Sequence, residues 1–247
     1  HQLAIGIIRN VNKKSKGLNF IKESDMANNL IKKLPFILTN SQLNVWSKIK
    51  EDLASKNQMV RLLQGDVGSG KTIVSLLAML QAIESGYQTA MMVPTSILAN
   101  QHYNNISKLL IDFPINILLL TGKDKGKNRI EKNLQIKNGE VQIIIGTHAL
   151  IQDDVSFKSI GLVIVDEQHR FGVYQRMAFT YKGIKPSILV MSATPIPRTL
   201  TLAAYGDMDE SRITEKPIGR LPIKTTSINL TSEDKLIKRL QEKLKYK

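Results

Sequence analysis

Short apolar blocks alternate with amphipathic stretches along most of the chain, and this alternation predicts the elements. Residues 59–63 form an apolar run of strand length, after which Ile73, Leu76, Leu77, Leu80 and Ile83 recur at helical spacing. The pairing then repeats. A strand is expected over 89–93, with Ile97, Leu98, Gln101, His102 and Leu109 on the helix behind it. Residues 115–120 form a third strand, followed by a basic helical stretch over 123–137. Further strands are expected at 141–145, 160–165 and 188–191. Strands taken in turn with helices predict an α/β protein with a mostly parallel, doubly wound sheet flanked by helices. Ahead of this pattern the chain is polar and basic. Leu3, Ile7, Ile8 and Val11 keep helical spacing as far as Gly17, and 26–34 supplies another turn or two before Pro35. Thr39, with Gln42 three residues on, has the form of a cap opening a helix over 41–53.

The turn between the first strand and its helix carries the most specific chemistry. Gly65-Asp66-Val67-Gly68-Ser69-Gly70-Lys71-Thr72 fits G-x-x-x-x-G-K-[ST]. A loop that wraps phosphates must turn its N–H groups inward, and glycine permits that close approach. Lys71 would bring a cation to the phosphates of ATP, and the Thr72 hydroxyl would ligate Mg²⁺. Gln42 can cap its helix, but its amide can also read adenine, and its place just upstream of the loop favours that role. The fifth strand runs into Asp166-Glu167-Gln168-His169. Two acids after a strand are commonly a solvated turn. Beside a phosphate loop, Asp166 would hold Mg²⁺ through water and Glu167 would orient or deprotonate the attacking water. Lys71, Asp166 and Glu167 are therefore the candidate catalytic set.

Other strand ends carry small or hydroxylated residues: Pro94-Thr95, Thr121-Gly122, Thr147-His148 and Ser192-Ala193-Thr194. In an open parallel sheet these ends form the ligand edge. Taken singly, each is a strand-to-helix cap. Together, the first three suit phosphate contacts that ignore base identity, and Ser192 and Thr194 would lie beside Asp166, where they could link nucleotide state to movement.

Composition narrows the class. The 247 residues are 42% hydrophobic and 23% charged, as expected of a globular chain with ample core. The apolar runs are too short to span a bilayer, and no signal peptide is visible. The absence of cysteine excludes disulfides and thiolate metal sites and agrees with a reducing cytoplasm. His1, His102, His148 and His169 have no zinc-ligand spacing. A net charge of +14 points to a polyanion, nucleic acid first, although a Lys-rich composition alone would produce the same excess. Because the chain begins with His1 rather than Met, it is expected to be part of something longer.

These motifs resemble the first motor domain of the superfamily 2 helicases. The flanks Asp166-Glu167-Gln168-His169-Arg170-Phe171-Gly172-Val173, Ala193-Thr194-Pro195-Ile196-Pro197-Arg198-Thr199-Leu200 and Tyr205-Gly206-Asp207-Met208-Asp209 narrow the resemblance to RecG-type branched-DNA helicases. Mfd-like transcription-repair translocases, with Glu in place of Gln168, are the near alternative. A nucleotide-gated DNA-binding module without turnover is the reading from another class. The resemblance implies a RecA-like P-loop NTPase domain over 35–221, preceded at 1–34 by a helical connector from an N-terminal wedge domain. Residues 222–247 would be a linker and the start of a second RecA-like domain. It implies ATP and Mg²⁺ as cofactors, duplex, forked or branched DNA as partner, and a monomer in the bacterial cytoplasm, away from membranes. By this resemblance Gln42 reads adenine, Pro94, Thr95, Thr121, Gly122, Thr147 and His148 lie along DNA, and His169, Ser192 and Thr194 couple the two. Without an arginine finger from the second domain, which is worth roughly 10³–10⁵ in rate, the chain alone is expected to bind nucleotide but hydrolyse it poorly.

Overall fold

The computed structural model describes residues 17–166, 185–194 and 208–217, and helical residues 236–238, 240 and 241. The chain divides into two units, His1–Pro217 and Ile218–Lys247. The first unit holds the sheet and the helices that cover it.

The predicted strands form one sheet. β1 (Val60–Gly65), β2 (Gln88–Met92), β3 (Ile117–Leu120), β4 (Ile143–Gly146), β5 (Ile160–Val165), β6 (Ser187–Ser192) and β7 (Asp209–Ile213) are ordered β3-β4-β2-β5-β6-β1-β7. Every neighbouring pair is parallel. The central strands β2, β5 and β6 are buried along their whole length, which is why they read as continuous apolar runs rather than alternations.

Side-chain alternation sorts the strands onto two cores. Leu63, Met91, Ile145, Ile164 and Met191 face the layer of α1 (Asp25–Lys33), α2 (Asn40–Leu53), α3 (Lys71–Glu84) and α4 (Ser96–Leu109). Leu62, Met92, Ile144, Val163 and Val190 face Ile136 of α5 (Gly126–Asn138) and Ala149 and Leu150 of a 3₁₀ turn, His148–Ile151. The sheet is doubly wound, as predicted. Residues 74–82 of α3 are buried on every side, because α1 and α2 pack over the surface the sheet leaves uncovered.

Residues 17–34 belong to this packing. Leu18, Phe20, Ala27 and Leu30 enter the core, and the Ser24 hydroxyl donates to Glu84 Oε2 at 2.6 Å, fixing α1 to the end of α3. The helical spacing over Leu3–Val11 lies outside the described residues. Some strand bounds differ from the pattern, β4 beginning at Ile143 rather than at 141. β3 begins at Ile117 rather than at 115, because Asn116 is held by Glu140 and Gln142 in the turn before it. The seventh strand, β7, has no counterpart among the predicted strands: three of its five residues are charged, and only Ser211 and Ile213 are buried.

Candidate functional site at the carboxyl edge of the sheet

Because all strands run the same way, their carboxyl ends share one edge. Along that edge the strand order sets Thr121-Gly122 (β3), Thr147-His148 (β4) and Pro94-Thr95 (β2) side by side. Asp166 (β5), Ser192-Ala193-Thr194 (β6) and the glycine loop (β1) follow in that order. The candidate DNA residues and the candidate nucleotide residues, interleaved in sequence, are separated in space.

The loop after β1 has the backbone the motif requires. Gly68 and Gly70 have φ of 75° and 90°, the left-handed region that favours glycine. Asp66 bends back so that its carbonyl accepts from Ser69 N at 3.0 Å. Lys71, first residue of α3, folds its Nζ over the loop, donating to the carbonyls of Gly65 at 2.5 Å and Asp66 at 3.0 Å. Its ammonium is thus already held at the centre of the turn. Asp66, Val67 and Gly68 are exposed, whereas Ser69 is buried, and Thr72 sits half-buried in the first turn of α3.

Gln42 is 2% exposed and has two tasks. Its Oε1 accepts from Thr39 N at 2.8 Å while Thr39 Oγ1 accepts from Gln42 N at 3.2 Å, closing the predicted capping box. Its Nε2 donates to the Ser69 carbonyl at 2.8 Å and so ties α2 to the loop. A Cβ on Gly70 would stand 2.2 Å from that Nε2, a second reason for glycine there. The end of β7 steadies the same helix. Ser41 N donates to Glu215 Oε2 at 3.1 Å, and Thr214 N donates to Ser41 Oγ at 3.0 Å. Further along α2, Asp52 accepts from Arg61 of β1, whose Nη1 also donates to Ser211 Oγ at 2.7 Å.

Asp166 follows directly on β5, its N–H donating to the Met92 carbonyl at 2.9 Å. β6 alone separates β5 from β1, so the acid stands about 10 Å from the loop at two strand spacings. Its Oδ2 lies 3.0 Å from His102 Nε2 of α4, with the two side chains only 13% and 12% exposed. A hydroxyl and a carboxylate are the hard oxygen donors Mg²⁺ accepts when phosphates and water complete its shell, so Thr72 and Asp166 fit that ion. Glu167 and His169 lie outside the described residues.

On the other half of the edge, Thr95 caps α4, accepting from Leu98 N at 3.2 Å. The Thr121 hydroxyl is buried and donates to Asp124 Oδ2 at 3.3 Å, and the Thr121 amide donates to the same oxygen at 2.8 Å. Burial would raise the Asp124 carboxyl, but Lys132, at 2.6 Å, and Thr121 outweigh it and hold the group below its ordinary value. Gly122 is open: a Cβ there would meet nothing within 4 Å. Thr147 is 4% exposed and its hydroxyl has no hydrogen-bond partner among the described residues, while His148 beside it is exposed. Ser192 is buried and donates to the Thr194 carbonyl at 3.1 Å. Sequence reasoning missed the His102–Asp166 pair and the Ser41 anchor on Thr214 and Glu215. The partners are 64 and more than 170 residues apart, and no local spacing announces them.

A parallel, doubly wound sheet with a glycine loop between β1 and α3 and an acid at the end of β5 is the architecture of a RecA-like P-loop domain. The chain belongs to the DEAD/DEAH box helicase family, whose model matches residues 39–202. It is 47% identical over 246 residues to the ATP-dependent DNA helicase RecG of Aquifex aeolicus, covering 99% of this chain and 31% of that protein. To RecG of Bacillus subtilis it is 50% identical over 215 residues, 87% of this chain and 32% of the relative. The chain therefore spans about a third of the curated relatives it matches. Among solved structures it resembles that of RecG bound to a three-way DNA junction, with a TM-score of 0.87 and 43% identity over 99% of this chain and 33% of that one. The helicase MrfA bound to DNA and AMPPNP shares the fold, with a TM-score of 0.67 at 14% identity over 97% of this chain and 39% of that one. Among the described residues no helix is long and apolar enough to cross a membrane.

Proposed function

We propose that this chain is the ATP-binding motor half of a RecG-type DNA helicase, coupling ATP hydrolysis to the remodelling of branched DNA such as stalled forks and Holliday junctions. The observation that carries the reading is the sorted sheet edge, with phosphate loop and acid on one half and small, hydroxylated strand ends on the other. Residues 35–221 are the first RecA-like domain in this reading. Residues 1–34 lead from a wedge domain, with 17–34 packed onto the motor's core, and 222–247 lead into a second motor domain.

Lys71 would exchange the Gly65 and Asp66 carbonyls for phosphate oxygens, and the N–H groups of 66–72 would line the same turn. Gln42 would read adenine while holding the loop through Ser69. Thr72 and Asp166 would hold Mg²⁺, which when bound neutralises charge on the β- and γ-phosphates. Glu167 would orient the attacking water, and His169, Ser192 and Thr194 would pass the change to the DNA side. Pro94, Thr95, Thr121, Gly122, Thr147 and His148 would meet the DNA backbone. There the open Gly122 and exposed His148 are direct contacts, while the buried Thr121 and Thr147 shape the edge.

The test is ATPase activity of the full-length protein with no DNA, linear duplex and forked DNA. Stimulation by DNA, strongest with forks, is expected; turnover indifferent to DNA would overturn the proposal.

A further inference from the structure

We infer that His102 is a positioning residue for Asp166 and conveys the state of the DNA-facing end of α4 to the metal-binding acid. The inference rests on the function proposed above. An ionised carboxylate can only accept, so in the 3.0 Å contact Nε2 carries the proton and donates to Asp166 Oδ2. That bond fixes the carboxylate rotamer and takes one of its roughly four acceptor sites, so that the others would be left for a metal or its waters. Both side chains are nearly buried, so little solvent competes for the bond.

The helix that carries His102 makes this more than local support. α4 starts at its cap Thr95, beside Pro94, and His102 is seven residues further on, two turns and about 10 Å along the axis. A displacement of the Pro94-Thr95 end reaches His102 as a rigid shift of one helix. It reaches Asp166 a second time through the backbone, because Asp166 N donates to Met92 O, two residues before Pro94. Partners that orient metal-binding groups typically contribute 10–100-fold to affinity or activity.

The experiment compares His102→Ala and His102→Gln with wild type in the full-length protein. Gln is chosen because its amide N–H₂ can reach the place of Nε2. Three quantities are measured: the Mg²⁺ concentration that half-saturates binding of a fluorescent ATP analogue, kcat and KM for ATP with and without duplex DNA, and Tm. For His102→Ala the Mg²⁺ requirement should rise about tenfold. DNA-stimulated kcat should fall by a similar factor, more than the DNA-free rate, with KM at saturating Mg²⁺ within about twofold. His102→Gln should restore most of both. A His102→Ala enzyme with wild-type Mg²⁺ requirement and DNA stimulation overturns the inference while leaving the proposed function standing. So do equal losses in both variants that follow a fall in Tm. A wild-type protein that neither binds the analogue nor hydrolyses ATP overturns both.

Discussion

Replacing Gln42 by Glu separates the two tasks of that side chain. Glutamate keeps the oxygen that accepts from Thr39 N, so the capping box survives. It replaces the Nε2 donor by an oxygen set 2.8 Å from the Ser69 carbonyl. Leaving the buried Ser69 carbonyl without its donor costs about 1–3 kcal/mol. The site is 2% exposed, so an ionised Glu is further disfavoured and its pKa rises in the folded protein. A protonated Glu can donate to Ser69 and restores part of the tie. A raised folded pKa means that this restored stability is present at low pH and lost as pH rises through it. Gln42→Glu should therefore unfold about 1–3 kcal/mol more easily than wild type at pH 8, with a smaller difference at pH 5. Gln42→Ala loses the bond from Thr39 N as well as the tie, while Thr39 still caps Gln42 N, and adds about 1 kcal/mol, with no such pH dependence. Urea unfolding of the 247-residue chain at both pH values, with titration of a fluorescent ATP analogue, provides the measurement. Wild-type stability and nucleotide affinity for Gln42→Glu at pH 8 would refute the claim that this amide holds the phosphate loop.

Lys71→Ala should weaken Mg-ATP binding at least tenfold in calorimetry, since a charge-assisted contact to phosphate is lost. Gly146→Ala should destabilise the chain by about 1–3 kcal/mol in urea, because the new Cβ falls 2.1 Å from the Leu120 carbonyl and forces β3 from β4. The Arg129 guanidinium holds the Asp154 carboxyl down from 3.8 to about 2. The stability this pair contributes is complete above pH 4 and drains as pH falls toward 2. With Asp154 47% exposed it is worth less than about 1 kcal/mol, so a small Tm gap between wild type and Asp154→Asn at pH 5 should narrow as pH falls to 2. DNA binding by the isolated chain should be sequence-independent, with a log–log salt slope of about −0.9 per phosphate neutralised. His148→Ala should weaken it in fluorescence anisotropy without altering ATP affinity.

How much could be read in advance depends on how local each determinant is. β1, the glycine loop and α3 are contiguous, and their patterns switch from an apolar run to helical spacing around one motif. The capping box is legible for the same reason, being an exchange between residues three apart. The bond from Gln42 to Ser69 spans 27 residues and becomes visible only once β1 and α2 have packed. β7 was hidden by its position. An edge strand exposes alternate residues, and charges at Asp209, Glu210 and Arg212 suit solvent while erasing the apolar run that marks a central strand. The hydroxyls of Thr121 and Thr147 are buried, though the motif alone suggested exposure. The motif specifies residue types at a strand end, whereas the neighbouring loop decides which atoms reach the surface.

Under the proposed function, coupling between the two halves of the sheet edge would run by a short path among the described residues. Strand order sets β2, last of the strands that carry the candidate DNA residues, directly against β5, first of those that carry the candidate nucleotide residues, with Met92 in register with Val165. The next residues on each strand diverge in role: Val93 N donates to the Gly146 carbonyl of the DNA half, and Asp166 N donates to Met92. Under the proposed function, a movement at Pro94-Thr95 would therefore reach Asp166 through one hydrogen bond of the ladder and one side-chain contact from α4. The phosphate loop is two strands further on and is braced from the opposite side by Gln42. A motor of the proposed kind would hold nucleotide firmly through the loop while DNA altered Asp166. Affinity for ATP and the rate of its use would then change independently, because separate strands would carry them.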